Sequence, residues 1–219
     1  LSEEIKNRED YSIDFLMGNI KVSSDKRFIK LDEKYAVAGK EVYVYTEVYD
    51  KLKLMIESAK EDGIKLKVIS GMRTFNYQKS IWGRKWKNYK EKNGFSDEEC
   101  AREILKYSAM PGSSRHHWGT DFDFNSLENS YFDSGEGKKI YSWLLENGHK
   151  YGFYQVYKRE NLKGYSEEKW HWSYLEIADK MLKQYNEKID YSCFKGFSGA
   201  ETSKKLNIIE EYVNGIDRK

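Results

Sequence analysis

Between Glu47 and Ala59 the apolar residues Val48, Leu52, Met55, Ile56 and Ala59 recur at helical spacing, and Asp62-Gly63 supplies a C-terminal stop. Ile64 to Ile69 alternates apolar and polar positions and predicts a strand with one buried face. Ser70 to Thr74 is the loop that leaves it. A second helix is expected from about Asn76, with Tyr77, Ile81, Trp82, Trp86 and Tyr89 as its apolar stripe. Ser96 and Glu99 have the spacing of a capping box and open a third helix that runs to about Tyr107. Ala109 to Gly119 reads as loop and holds Pro111, the only proline.

Thr120 to Asn125 alternates again, with Thr120, Phe122 and Phe124 on one side and Asp121, Asp123 and Asn125 on the other. Ile140, Trp143, Leu144 and Tyr151 mark a helix closed by Gly152; Lys169 to Tyr174 reads as a strand, and Leu175 to about Tyr185 as a helix. Residues 1 to about 40 are polar around the apolar island Phe15-Leu16-Met17, which predicts an N-terminal arm packed onto the body. There is no internal repeat. Helices first, with short strands between and after them, argue for an α+β fold around a small antiparallel sheet.

The 219 residues suffice for one generous domain, and 38 Lys+Arg against 36 Asp+Glu leave a net charge of only +2. A nucleic-acid partner is therefore not expected; the Lys- and Trp-rich stretch 76–92 is better explained as a solvated amphipathic helix. Aromatic residues at 16% exclude disorder, because such side chains bury large apolar areas. No apolar run reaches the roughly 20 residues of a membrane span, so no transmembrane segment is expected. Cys100 and Cys193 are too few for a disulfide framework, and two unlinked thiols are the simpler expectation. A chain starting at Leu1 without Met is expected to be a processed or trimmed product.

Chemistry concentrates in two segments. Ser113 to Asp123 sets His116, His117, Asp121 and Asp123 beside Trp118, and Glu167 to Trp172 sets His171 between Trp170 and Trp172 after adjacent carboxylates. Three of the four histidines thus lie in two acidic, aromatic-walled clusters. A catalytic zinc commonly takes three protein ligands from His and Asp/Glu and leaves a fourth position open. His116, Asp123 and His171 suit that set, with Glu168 as a nearby free carboxylate to accept a proton. Two residues three apart on one strand face opposite ways, so Glu168 is expected in the turn before the strand of His171. His149 is expected to be an ordinary structural histidine. His117 stands open between supporting the ligands and a surface position, and Asp121 between orienting a ligand and a solvated strand position.

The pattern Ser114-x-His116-x-x-Gly119-x-x-x-Asp123, followed by Glu168-x-Trp170-His171, resembles the paired signatures of the zinc D-alanyl-D-alanine carboxypeptidases of VanY type. These are similar in fold to lysostaphin-type peptidases and the hedgehog signalling domain. Ser70-Gly71-Met72-Arg73 with Gln78 resembles a further element of the family, and the likeness runs from about Tyr43 to Tyr185. It implies one zinc per chain on His116, Asp123 and His171, Glu168 as catalytic base, and Arg73 on the substrate carbonyl or developing oxyanion. It also implies Ser114 and Gln78 in the substrate pocket. The family often has Ala where Asp121 stands and Tyr where Met72 stands, which leaves the substrate open.

A small antiparallel sheet carrying a zinc site among several helices is therefore expected. It is expected as one peptidase domain: an arm at 1–42, a catalytic body at 43–186 and a tail at 187–219. The implied activity trims the C-terminal D-Ala from peptidoglycan stem peptides, outside the cytoplasmic membrane of a bacterium and by default as a monomer. Arg73, Ser114 or Arg115 would receive the terminal carboxylate, and tryptophans including Trp170 would wall the cleft. The alternatives are an L,D-carboxypeptidase acting on tetrapeptide stems and a non-catalytic hedgehog-like zinc module.

Overall fold

A computed structural model describes residues 10–159 and 163–218. A four-stranded antiparallel sheet in the order β3-β4-β6-β5 occupies the centre, from β3 (Val68–Ser70), β4 (Asp121–Phe124), β5 (Phe153–Gln155) and β6 (His171–Tyr174). A second, two-stranded sheet pairs β1 (Phe28–Lys30) with β2 (Tyr43–Tyr45). Strands of three residues are too short to show a period, so neither β1 nor β2 was legible in the sequence.

Around the sheets lie α1 (Ile13–Leu16), α2 (Thr46–Glu61), α3 (Phe75–Asn93), α4 (Asp97–Leu105), α5 (Gly135–Asn147) and α6 (Leu175–Lys188). Helix α2 buries the five apolar residues its spacing singled out and ends at Asp62, followed by Gly63 at φ 75°. Helix α4 carries the capping box in full: Ser96 Oγ accepts from the Glu99 amide at 3.3 Å, and Glu99 Oε2 accepts from the Ser96 amide at 2.8 Å. This satisfies two amides that a helix start otherwise leaves without partners.

Two expectations need correction. The strand expected over 64–69 begins only at Val68. Its first half is taken up in closing α2, where the Ile64 amide donates to the Ala59 carbonyl, and in pairing with Asn125, whose Oδ1 accepts from the Lys67 amide at 3.1 Å. The stripe expected along α3 splits into two faces. Gln78, Trp82 and Trp86 enter the core, whereas Tyr77 is 55% exposed and, with Ile81, Arg84 and Lys85, borders an open cleft.

The flanking segments are built into the core. Phe15 and Leu16 are wholly buried, and the Trp118 indole donates to the Leu16 carbonyl at 3.1 Å. The Phe75 amide at the start of α3 donates to the Gly18 carbonyl at 2.8 Å. At the other end Ile208, Ile209 and Val213 are buried, and Tyr212 packs on Tyr165 with ring centres 5.2 Å apart. Both cysteines are free thiols, Cys100 buried and Cys193 partly so. No helix among the described residues is long and apolar enough to cross a membrane.

Candidate active site

The sheet register brings the ligand residues together. Asp123 on β4 stands directly across from His171 on β6, and Ser70 at the end of β3 stands across from Asp123 on its other side. Directly opposed residues in an antiparallel pair have Cβ atoms about 5 Å apart, close enough for both side chains to reach one ion. His116 comes from the short 3-10 turn Arg115–Trp118 that precedes β4. One ligand atom each from His116, Asp123 and His171 lie within 4.8 Å of one another, and all three residues are buried.

Each imidazole is oriented by what its far nitrogen bonds. His116 Nδ1 donates to the Gly71 carbonyl at 2.8 Å, which leaves Nε2 as the lone pair, 3.3 Å from Asp123 Oδ1. His171 Nε2 donates to Asp121 Oδ2 at 2.9 Å, which leaves Nδ1 facing Asp123 Oδ1 at 3.2 Å. Asp123 Oδ1 is itself buried and accepts no hydrogen bond among the described residues. Once His171 Nδ1 gives up its proton, three acceptor atoms converge, and a divalent cation fits such a set. The Gly71 carbonyl reaches His116 because residue 71 lies against β2: a Cβ there would stand 2.6 Å from the Tyr43 carbonyl oxygen.

Asp121 does not face solvent. It is fully buried, and besides His171 it accepts from Arg115 Nε at 3.0 Å and from the hydroxyls of Ser173 at 2.8 Å and Thr120 at 2.9 Å. Burial alone would raise its carboxyl, but the Arg115 charge and the His171 hydrogen bond hold it below the ordinary range. Burial would likewise raise Asp123, and the charges of His116 and Arg73 hold it well down. For His171 burial is outweighed by its hydrogen bond to Asp121 and by the facing carboxylate of Asp123, which raise the metal-free ring to about 9. His117 is also buried, with Nδ1 donating to the Arg73 carbonyl at 2.6 Å and Nε2 accepting from the Gly112 amide at 3.1 Å. It is a neutral clasp between two loops, pushed down to about 4 by burial.

Glu168 lies in the turn before β6, where the His171 amide donates to its carbonyl at 3.2 Å. Its carboxylate is 3.5 Å from His171 Nδ1, and burial pushes it up to about 8. Arg73 donates from Nε to Ser70 Oγ at 2.8 Å and from Nη2 to Asp123 Oδ2, which places its guanidinium at the edge of the ligand cluster. A cleft of about 1130 Å³ opens over this cluster, and Arg73, Ser114, Arg115, Glu168 and Trp170 line it.

Several site residues sit differently from the expectation. Gln78 stands behind the cleft wall, 1% exposed, with Nε2 donating to the Ala109 carbonyl at 2.8 Å. Arg115 is bound to Asp121 and to Ser173 Oγ and offers only Nη1, which has no partner among the described residues. Trp118 is core rather than cleft wall, and the Trp172 indole donates to the Lys169 carbonyl at 3.0 Å. His149 is exposed and outside the cleft. Sequence reasoning missed Ser173, although its position two residues after His171 puts it on the same strand face. It also missed Tyr157, whose ring lies 4.6 Å from that of His171, and Tyr165, 4.9 Å from Tyr157. No local pattern marks either.

Residues 41–177 match the profile of the VanY D-alanyl-D-alanine carboxypeptidase family. A D-alanyl-D-alanine carboxypeptidase of Enterococcus faecalis is 32% identical over 136 residues, 59% of this chain and 48% of the relative. The chain spans about half the length of the curated relatives it matches. Among solved structures, VanYB in complex with D-alanine-D-alanine is 26% identical, with a TM-score of 0.58 over 77% of this chain and 88% of that one. The vancomycin-resistance D,D-pentapeptidase VanY, solved with Zn(II) as a glutamate-to-alanine variant, is also 26% identical. Its TM-score is 0.53, over 78% of this chain and 92% of that one. With the family profile covering well over half of its residues and the hedgehog-like fold shared, this chain belongs to the VanY D-alanyl-D-alanine carboxypeptidase family.

Proposed function

We propose that this chain is a zinc-dependent carboxypeptidase that removes the C-terminal D-Ala from peptidoglycan stem peptides. The observation that carries the proposal is the convergence of one ligand atom each from His116, Asp123 and His171 within 4.8 Å, with the raised carboxyl of Glu168 3.5 Å from His171 Nδ1. A relative of this family bound to D-alanine-D-alanine supports the substrate class, and a relative bound to Zn(II) supports the metal.

His116, Asp123 and His171 would hold one zinc ion, which supplies Lewis-acid polarisation of the scissile carbonyl and a more acidic water. Glu168 takes the proton from the attacking water and returns it to the departing D-Ala amine. A cation beside it favours its charged form and lowers its pKa from about 8 toward working pH, where a general base is most effective. Arg73 stabilises negative charge developing on the carbonyl oxygen, in a buried site where a fixed charge acts more strongly than in water. Ser114, Trp170 and Arg115 line the cleft where the peptide would lie, while Gln78 fixes the loop that presents Ser114. The arm at 1–42, the body at 43–186 and the tail at 187–219 act as one peptidase domain, and the chain works as a monomer. Its substrate places it outside the cytoplasmic membrane of a bacterium.

The deciding experiment incubates the zinc-loaded protein with defined stem peptides and weighs the products. Loss of one D-Ala from a pentapeptide ending in D-Ala-D-Ala is the expected result. Cleavage of the tetrapeptide in its place would move the assignment to an L,D-carboxypeptidase. No metal-dependent cleavage of either would leave a non-catalytic zinc module.

A further inference from the structure

The cleft face of α3 carries two cations that form no ion pair among the described residues. Arg84 and Lys85 both border the cleft over the ligand cluster, and among the described residues neither has a carboxylate within ion-pairing distance. Lys85 is the more enclosed of the two, and the one hydrogen bond made by its Nζ is to the neutral hydroxyl of Ser108, at 2.6 Å. Its burial lowers its pKa, and it lines the same cleft as Glu168 and Arg73, whose charges both act on it. Two further cations that line the cleft are engaged, Arg73 by Asp123 and Arg115 by Asp121. A partly desolvated ammonium without a counter-ion is costly to keep, and the cost is offset when an anion binds beside it.

We infer that Lys85 receives the C-terminal carboxylate of the peptide substrate. This rests on the carboxypeptidase function proposed above. In an exopeptidase only one residue lies beyond the scissile bond, so its carboxylate falls about 3.5 Å of chain beyond the reacting carbonyl. An ammonium on a flexible stem at the cleft wall can meet it there. The contact would let the enzyme select free chain ends, because an internal peptide bond offers no negative charge at that position.

Direct binding separates this role from any influence of Lys85 on the charge of Glu168. The zinc-loaded Glu168→Ala chain is titrated by calorimetry with acetyl-L-Lys-D-Ala-D-Ala and with its C-terminal carboxamide. It should prefer the acid by about 10- to 100-fold, the scale of a hydrogen bond between charged groups. Adding Lys85→Met should bring that preference to near unity, and Lys85→Arg should keep most of it; zinc content and melting temperature verify that each variant is folded. A preference that persists in Lys85→Met, or its absence in the parent, overturns the assignment of Lys85 while leaving the carboxypeptidase function intact. Binding of neither peptide, together with no cleavage by the unsubstituted enzyme, overturns that function and this inference with it.

Discussion

The two walls of the cleft are built on opposite plans. On the β4–β6 side nearly every polar atom has its partner: Gly71 orients His116, Asp121 orients His171, and Arg115 with Ser173 and Thr120 hold Asp121. On the α3 side Tyr77 and Ile81 are partly exposed, and Arg84 and Lys85 lack carboxylate partners among the described residues. A metal site must be fixed before the ion arrives, since misplaced ligands cost affinity, whereas a substrate wall must leave its charges free. Fixed geometry on one wall and open valence on the other is what a metal-assisted hydrolase with an anionic substrate requires.

Breaking the fixed wall should have the largest effects. Glu168→Ala is expected to keep zinc and lose about 100- to 10,000-fold in kcat/KM, the range that general acid–base catalysis supplies. Near-normal turnover would remove Glu168 from the role of base. His116→Ala should lose the metal itself, measurable by elemental analysis; full zinc occupancy would mean that the ligand set is wrong. Asp121→Asn keeps the size of the side chain but weakens the hold on His171, and zinc affinity should fall by about 10- to 100-fold. An unchanged zinc Kd would reduce Asp121 to a packing residue.

Protons sharpen the comparison further. Metal-free His171 is raised to about 9 and Glu168 to about 8, so at pH 7 both hold protons that a divalent cation displaces. Zinc binding should therefore release between about one and two protons at pH 7 and tighten as pH rises toward 9. Calorimetry in buffers of different ionisation enthalpy counts them. Zinc binding with no proton release would show that the metal-free site is held apart by something other than protonation.

The effect most remote from the chemistry concerns the clasp beside the proposed ligands. His117 is pushed from 6.5 to about 4 in the folded chain, so between those values the unfolded chain binds more protons. Its contribution is fully present above about 6.5 and fades as pH falls toward 4, by up to about 3 kcal/mol. Denaturant unfolding of metal-free protein across that range should show the loss. His117→Gln should flatten the difference, and an equal slope in both would place the titration elsewhere.

Much of the site was legible because short motifs are local. The chain segment from Ser114 to Asp123 contains two of the proposed ligands and the turn between them, and Glu168 to His171 contains the proposed base and the third. Helices α2 and α4 were equally plain, since periodic apolar spacing and a capping box act within a few residues. The strand at 64–69 was overstated because Asn125, some sixty positions away, takes the amide that would have continued it. The stripe on α3 was misjudged because periodicity reports amphipathicity without saying whether a face meets a core or a cleft.

The sequence by itself determined the donor types of the candidate metal site, the α+β class and the family. Each of these follows from residue identity at short spacing. Only the tertiary structure decided that Asp121 orients His171, that Trp118 belongs to the core, that Arg115 is bound to Asp121, and that Lys85 lines the cleft without a carboxylate partner among the described residues. Those facts depend on cross-strand register and on which distant carbonyl or carboxylate meets each side chain, and such partners are set by packing between segments.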